Sequence, residues 1–312
     1  MFLGIDIGGT FIKYGLVDEE GNITQKDKVP TPLEKEPFIE TLVKIINQFS
    51  NESVEGIGIS MPGVIREDGF LITAGAIRSI YQINLIYILH QYTDLPITVD
   101  NDGNSVAIAE KWLGNAQDLS NYICMVLGTG IGGGFVINDQ VYRGFNGMAG
   151  EFGWMIMEHV PEVGSIELNS SLNYHGAVIL GLCGVYNKLH KEQDPNFEEV
   201  TDARIVLENE DNDPFAKQAV ETFYSALSKA IINLDSLFDP QAILIGGGIT
   251  ENPAFYDRLM KMHAKIVERH ESYHFMVGKT ACDVKLAKLK NDAVLLGAVY
   301  QIKQKVQQLN AN

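Results

Sequence analysis

The chain has 312 residues, 46% of them hydrophobic and 21% charged, a length that favours two domains and a composition ordinary for a globular protein. Its formal net charge of −16 excludes nucleic acid and anionic membrane surfaces as partners, since Lys and Arg supply the affinity there. Any phosphate must therefore be held locally, by backbone N–H groups, helix dipoles and a metal ion.

In chain order, Phe2–Asp6 reads as a short buried strand, Gly8-Gly9-Thr10 as a turn and Phe11–Val17 as a second strand, with a hairpin at Asp18–Gly21 leading to a third strand near Ile23–Val29. Phe38–Phe49 has helical spacing, Val54–Ser60 reads as a buried strand ended by Met61-Pro62-Gly63, and Ile83–Tyr92 reads as a helix. A strand at Ile97–Val99 precedes a helix at Asn104–Trp112. The pattern then restarts, with a strand at Tyr122–Leu127, a glycine turn at Gly128–Gly134, a strand at Phe135–Ile137, a tight turn at Asn138-Asp139 and a continuation at Val141-Tyr142. Further on come a long helix over Asp213–Phe238, a strand at Ala242–Ile245, a turn at Gly246–Gly248, a mostly helical Asn252–Arg269, a strand at Val284–Leu286 and a last helix at Ala293–Leu309. Two halves thus open alike, which suggests an internal duplication.

Glycine turns after apolar strands place N–H groups at the carboxyl edge of a sheet, where α/β folds bind ligands. Asp6-Ile7-Gly8-Gly9-Thr10 ends a strand in an acid and follows it with two glycines and a hydroxyl, with Lys13 close behind. The glycines permit close approach of a phosphate, Thr10 adds a donor, and Asp6 is placed to hold Mg²⁺ through water. Gly128, Thr129 and Gly130 open a Gly-x-Gly-x-x-Gly string, but a strand and hairpin follow it where a dinucleotide fingerprint needs a helix, and no Gly-Lys-Ser/Thr makes it a Walker loop. A phosphate-clasping hairpin fits better. Gly246, Gly247 and Gly248 form a third glycine turn, read either as a platform for a base or ribose or as a helix-capping turn.

Asn101-Asp102-Gly103-Asn104 lies between a strand and a helix, so Asp102 reads as an ionised carboxylate at a helix N-terminus, able to accept a hydroxyl proton, or as an N-cap only. Glu151, flanked by glycines in Gly147–Gly153, suits hydrogen bonding to sugar hydroxyls. The three cysteines, Cys124, Cys183 and Cys282, are odd in number and far apart, which fits free thiols in a reducing compartment. The first residues lack a basic signal-peptide region and no apolar run approaches about 20 residues, so a cytoplasmic location is expected, with no membrane partner.

Taken in order, these motifs resemble the ROK family (repressors, open reading frames, kinases) of the actin/hexokinase-like superfamily, from Gly4 to Tyr300. The resemblance implies a two-domain α/β fold of the ribonuclease H-like type, with ATP and sugar in the interdomain cleft, and phosphorylation of a sugar hydroxyl, usually on C6, by ATP and Mg²⁺. The expected domains are residues 1–115 with the C-terminal helix 293–312, and residues 116–292. The resemblance makes Asp102 the catalytic base and gives ATP phosphates to Asp6–Thr10, Lys13 and Gly128–Gly130, and adenosine to Gly246–Gly248. Sugar contacts fall to Asn101, Asp102, Gly63, Arg78, Glu151, Trp154 and Asn173, and a homodimer is implied.

Two departures from the family pattern bear on the substrate. Trp154 stands where most family sugar kinases have a His, and Ser165–Ala177 lacks the family's cysteine cluster, with Asn173 near the position of a sugar-contacting Glu. His175 alone cannot build a four-ligand zinc site, so no zinc is expected, and His263, His270 and His274 read as surface or helix-face residues. With Gly69–Arg78, these departures resemble bacterial β-glucoside kinases, implying a substrate such as cellobiose, with Trp154 either stacking on a sugar face or serving only as core, and Arg78 reaching the aglycone or second sugar. A monosaccharide kinase and a non-catalytic sugar sensor are the alternatives. A repressor is disfavoured because the first phosphate motif begins at residue 6, leaving no room for a DNA-binding domain before it.

Overall fold

The computed structural model describes residues 1–49 and 52–311; Asn312, the last residue of the expected first domain, lies outside the described residues. The elements run β1 (Phe2–Ile7), β2 (Phe11–Val17), β3 (Ile23–Pro30), α1 (Lys35–Gln48), β4 (Ile57–Met61), β5 (Phe70–Leu71), β6 (Ile83–Asn84), α2 (Leu85–Leu89), β7 (Ile97–Asn101) and α3 (Asp102–Leu113). They continue as β8 (Tyr122–Leu127), β9 (Ile131–Ile137), β10 (Gln140–Tyr142), α4 (Glu167–Ser170), α5 (Leu172–Gly176), a π-helical segment (Val178–Cys183), α6 (Gly184–Gln193) and α7 (Ala203–Glu208). The chain closes with α8 (Pro214–Phe238), β11 (Ala242–Gly246), α9 (Phe255–Val267), α10 (Glu271–Met276), β12 (Asp283–Leu286) and α11 (Ala293–Ala311).

The chain divides into two compact units, Met1–Ser120 with Gly134–Gly150 and Lys288–Asn312, and Asn121–Gly133 with Glu151–Ala287. Two sheets share one plan: the first is ordered β3-β2-β1-β4-β7 and the second β10-β9-β8-β11-β12. Residues 134–150, expected with the second half, group with the first unit, where Arg143 pairs with buried Asp100 and Gly147 lies against the backbone of Ile65.

In the first unit, β1 pairs antiparallel with β2 and parallel with β4, and every residue of Phe2–Ile7 is buried. A central strand covered on both faces reads as such a continuous apolar run. β3 sits at the edge and is mostly exposed, with Lys26, Asp27 and Lys28 discouraging further pairing. α1 buries Phe38, Ile39, Leu42, Ile45 and Ile46 along one stripe, joining the core around Leu3, Ile5, Ile57 and Ile59. α11 approaches α3 so closely at Gly297 that any side chain there would strike the carbonyl of Ser105.

In the second unit, β11 pairs parallel with β8 and β12. α8 starts as its sequence dictates: the Asp213 carboxylate accepts the Phe215 N–H at 2.8 Å and Pro214 occupies the first turn. It ends at Asp239, whose φ of 45° is left-handed.

Two expectations change. The helix expected over Ile83–Tyr92 is only α2, because Ile83–Asn84 pairs with β5 and the Asn84 side chain caps the Tyr87 N–H at 2.8 Å. The glycine turn expected over Gly128–Gly134 ends at Gly130; the glycines beyond it belong to β9, where a side chain at Gly133 would collide with the Cys124 carbonyl and the Phe152 ring. His263 lies on α9 as a helix-face residue, as expected; it is half-buried, and burial lowers its pKa. Among the described residues, no helix is long and apolar enough to cross a membrane.

Candidate active site

Parallel pairing of β1, β4 and β7 sets Asp6, Ser60 and Asp100 in one row, so Gly8, Gly63, Asn101 and Asp102 gather just beyond it at the carboxyl edge of the sheet. Asn101, not Asp102, is the N-cap of α3: its Oδ1 accepts the Gly103 N–H at 2.7 Å, and its Nδ2 donates to the Gly63 carbonyl at 2.9 Å. One amide N–H and one lone pair of Asn101 stay available for a ligand. Asp102 occupies the first helical turn, where its Oδ1 also accepts the Gly103 N–H, at 2.8 Å.

Desolvation is the strongest influence on Asp102 and raises its pKa; the Gly103 N–H pulls it back, and the negative charge of Asp6 pushes it further up. Asp6 is also raised by burial, against the pull of Lys13, whose Nζ lies 3.4 Å from Oδ2. Two close carboxylates held above their ordinary range mark a place short of positive charge. That donor chemistry fits a hydrated divalent cation taken up with a phosphate ligand. Gly8 closes the first turn through its N–H to the Phe11 carbonyl at 3.0 Å, while Gly9 and Thr10 are exposed and, among the described residues, their N–H groups make no hydrogen bond. Arg78 is exposed on a one-turn 3₁₀ helix.

The second unit holds a cavity of about 810 Å³ that brings Gly128, Thr129 and Gly248 together with apolar walls from Val178, Ile179 and Leu207. This volume falls within the roughly 300–1,000 Å³ of ligand pockets. The π-helical segment abuts the second glycine turn, Val178 N–H donating to the Gly128 carbonyl at 3.0 Å and Leu180 N–H to the Thr129 carbonyl at 3.2 Å. The glycines differ in what demands them. Gly247 has φ of 105°, and a side chain on it would collide with the Leu127 carbonyl, so the fold requires it. A methyl group on Gly248 would meet nothing within 4 Å, one on Gly128 nothing nearer than 3.8 Å, and one on Gly9 nothing nearer than 3.9 Å. Packing does not explain these three; a ligand pressed against the backbone would.

Asn173 has a role the sequence did not reveal: its Oδ1 accepts the Ile131 N–H at 2.7 Å and its amide lies against Gly130 and Gly153, bracing the glycine hairpin. Glu151 is half-buried at the start of the 3₁₀ turn Phe152–Trp154, and Trp154 is 47% exposed, so it is not a core residue. His175 Nε2 contacts the Asn169 carbonyl at 2.8 Å, and among the described residues no group of three His, Cys, Asp or Glu side chains is arranged to hold a metal.

Residues 2–305 match the ROK family. The chain belongs to that family. It is 35% identical over 302 residues to a protein named beta-glucoside kinase from Listeria innocua, covering 96% of each chain. Among solved structures, a Listeria monocytogenes protein provisionally assigned as an N-acetylmannosamine kinase matches with a TM-score of 0.81 and 32% identity, covering 97% of this chain and 99% of that one. A ROK family glucokinase from Streptomyces griseus, in complex with glucose and AMPPNP, matches with a TM-score of 0.76 and 26% identity over 97% and 99% of the two chains. The fold of this ROK protein is accordingly the actin/hexokinase-like one, and the repeated strand order of its two sheets is the repeat read from the sequence. Residues missed by the sequence reading include Val178, Ile179 and Leu207; they carry no motif and are brought to the glycine turns only by folding.

Proposed function

We propose that this ROK-family sugar kinase transfers the γ-phosphoryl group of ATP to the C6 hydroxyl of the non-reducing glucose of a β-glucoside such as cellobiose. The observation that carries the substrate reading is the end-to-end likeness to the Listeria innocua beta-glucoside kinase. Exposed Trp154 agrees with it, as an aromatic face suited to a sugar ring.

Asp102 orients the attacking hydroxyl and takes its proton; a carboxylate raised by desolvation is a stronger base than a solvated one. Asn101 offers its remaining N–H and lone pair to the sugar beside the Gly63 carbonyl, and Glu151, Trp154, Arg78 and the Asn173 amide nitrogen complete the sugar contacts. Adenosine takes the cavity of the second unit against Gly246–Gly248, and phosphates take the N–H groups of Gly9, Thr10, Thr129 and Gly130 together with Lys13. Asp6 would hold Mg²⁺, which when bound would supply charge neutralisation at the phosphates. Most of the rate gain then comes from positioning and electrostatics. The family resemblance adds a cytoplasmic homodimer.

The test is ADP release with Mg-ATP and a panel of cellobiose, gentiobiose, arbutin, glucose, mannose and N-acetylmannosamine. Turnover on the β-glucosides well above the monosaccharides supports the reading. Preference for a monosaccharide, as the likeness to the Streptomyces griseus glucokinase would suggest, overturns the substrate but keeps Asp102.

A further inference from the structure

Asp100 is 2% exposed and belongs to none of the ligand contacts proposed above. Its carboxylate accepts five hydrogen bonds: at Oδ1 from the Asn101 N–H and Asn104 Nδ2, each at 2.8 Å, and at Oδ2 from Arg143 Nε at 3.0 Å, Arg143 Nη2 at 2.6 Å and Gln301 Nε2 at 2.8 Å. One oxygen thus fixes the turn that carries Asn101 and Asp102, while the other is gripped by a guanidinium and by a side chain of α11. Arg143 is also the start of a closed loop, since its carbonyl accepts the Ala149 N–H at 3.2 Å and Gly147 within the loop rests on the backbone of Ile65. That loop ends at Gly150, one residue before Glu151.

We infer that Asp100, Arg143 and Gln301 form a positioning device that sets both sugar-holding turns, Asn101–Asp102 and the approach to Glu151, from a single buried carboxylate. The inference rests on the proposed kinase reading. A buried ion pair adds little stability over an apolar replacement of the same shape. What this pair adds is a fixed geometry for backbone groups next to the reacting hydroxyl, and misplacement of about 1 Å there costs about 10²-fold in rate. The contacts made by Asp100 reach the sugar side, not the glycine turns assigned to ATP, so the effect on KM falls on the sugar, while any loss of kcat is shared by both substrates.

The experiment is steady-state kinetics of Arg143→Ala, Asp100→Asn and Gln301→Ala on the wild type's best sugar, varying sugar and ATP separately. The expected result is a loss of about 10²-fold in kcat/KM for sugar in Arg143→Ala, with sugar KM raised and the KM for ATP unchanged. A cavity of about 260 Å³ lies beside Arg143, so guanidinium added to Arg143→Ala should restore part of the lost activity. A KM for ATP raised as much as the KM for sugar, or an unchanged sugar kcat/KM, would overturn the inference. Should Arg143→Ala not fold, Gln301→Ala removes one neutral donor and decides: a raised sugar KM supports the device, and wild-type sugar kinetics contradicts it. Failure of the kinase reading is distinguishable, because it shows as absent turnover in the wild type itself. Cellobiose titration then replaces kinetics, with weaker binding by the variants expected and unchanged binding contradicting the inference.

Discussion

Asp102 and Asp6 are two carboxylates raised mainly by desolvation, and this sets a pH dependence. Asp102 must be ionised to accept a proton, so kcat/KM should fall on acidification through a pKa above the ordinary 3.8, measurable as the acid limb of the pH–rate profile. The stability consequence has the opposite sign. A folded-state pKa above the unfolded one means the folded protein holds its proton more tightly, so stability is lost as pH rises from 3.8 through the raised value. Asp102→Asn should therefore raise Tm at pH 7, with the advantage gone below pH 3.8; calorimetry at the two pH values checks both. Trp154 allows a cleaner separation because it is 47% exposed. Trp154→Ala should change stability by no more than about 0.5 kcal/mol. It should lower kcat/KM for β-glucosides by about tenfold, the equivalent of one lost aromatic contact, as read by parallel kinetics on cellobiose and glucose.

Among the elements, the glycine turns divide into those the fold needs and those a ligand would need. Gly9→Ala meets no atom closer than 3.9 Å, so Tm should hold while the KM for ATP rises. Gly247→Ala, at φ of 105° against the Leu127 carbonyl, should destabilise by about 1–3 kcal/mol, seen as a lower denaturation midpoint. α3 is tied down at its far end by Glu110, which is fully buried and accepts the N–H groups of Asn115, Lys288 and Leu289 at 2.7–2.8 Å. Glu110→Gln puts an amide donor against one of these N–H groups and should cost about 1–3 kcal/mol in thermal or denaturant unfolding. The strands bearing the motifs were legible because buried parallel strands are continuous apolar runs ended by glycine: β1, β8 and β11 are examples. Ile83–Tyr92 was misread because a short apolar run fits strand and helix alike, and only its pairing with β5 decides. The π-helical segment has no periodic signature of its own.

For the whole molecule, the order of motifs along the chain was enough to indicate the family and its repeated sheet, whereas the groups that orient those motifs were not legible. Gln301 lies 201 residues from Asp100, and Asn173 lies 42 from Ile131, so no local pattern joins them. The net charge of −16 agrees with the proposed site, in which phosphate would be met by backbone and local donors and not by a basic surface. The central claim is that Asp102 is the base of a sugar kinase, and the most direct measurement is turnover of Asp102→Asn beside the wild type, with cellobiose affinity measured on both. The account predicts retained sugar binding with kcat lower by about 10²–10⁴-fold. Near-wild-type turnover in the folded variant would contradict it.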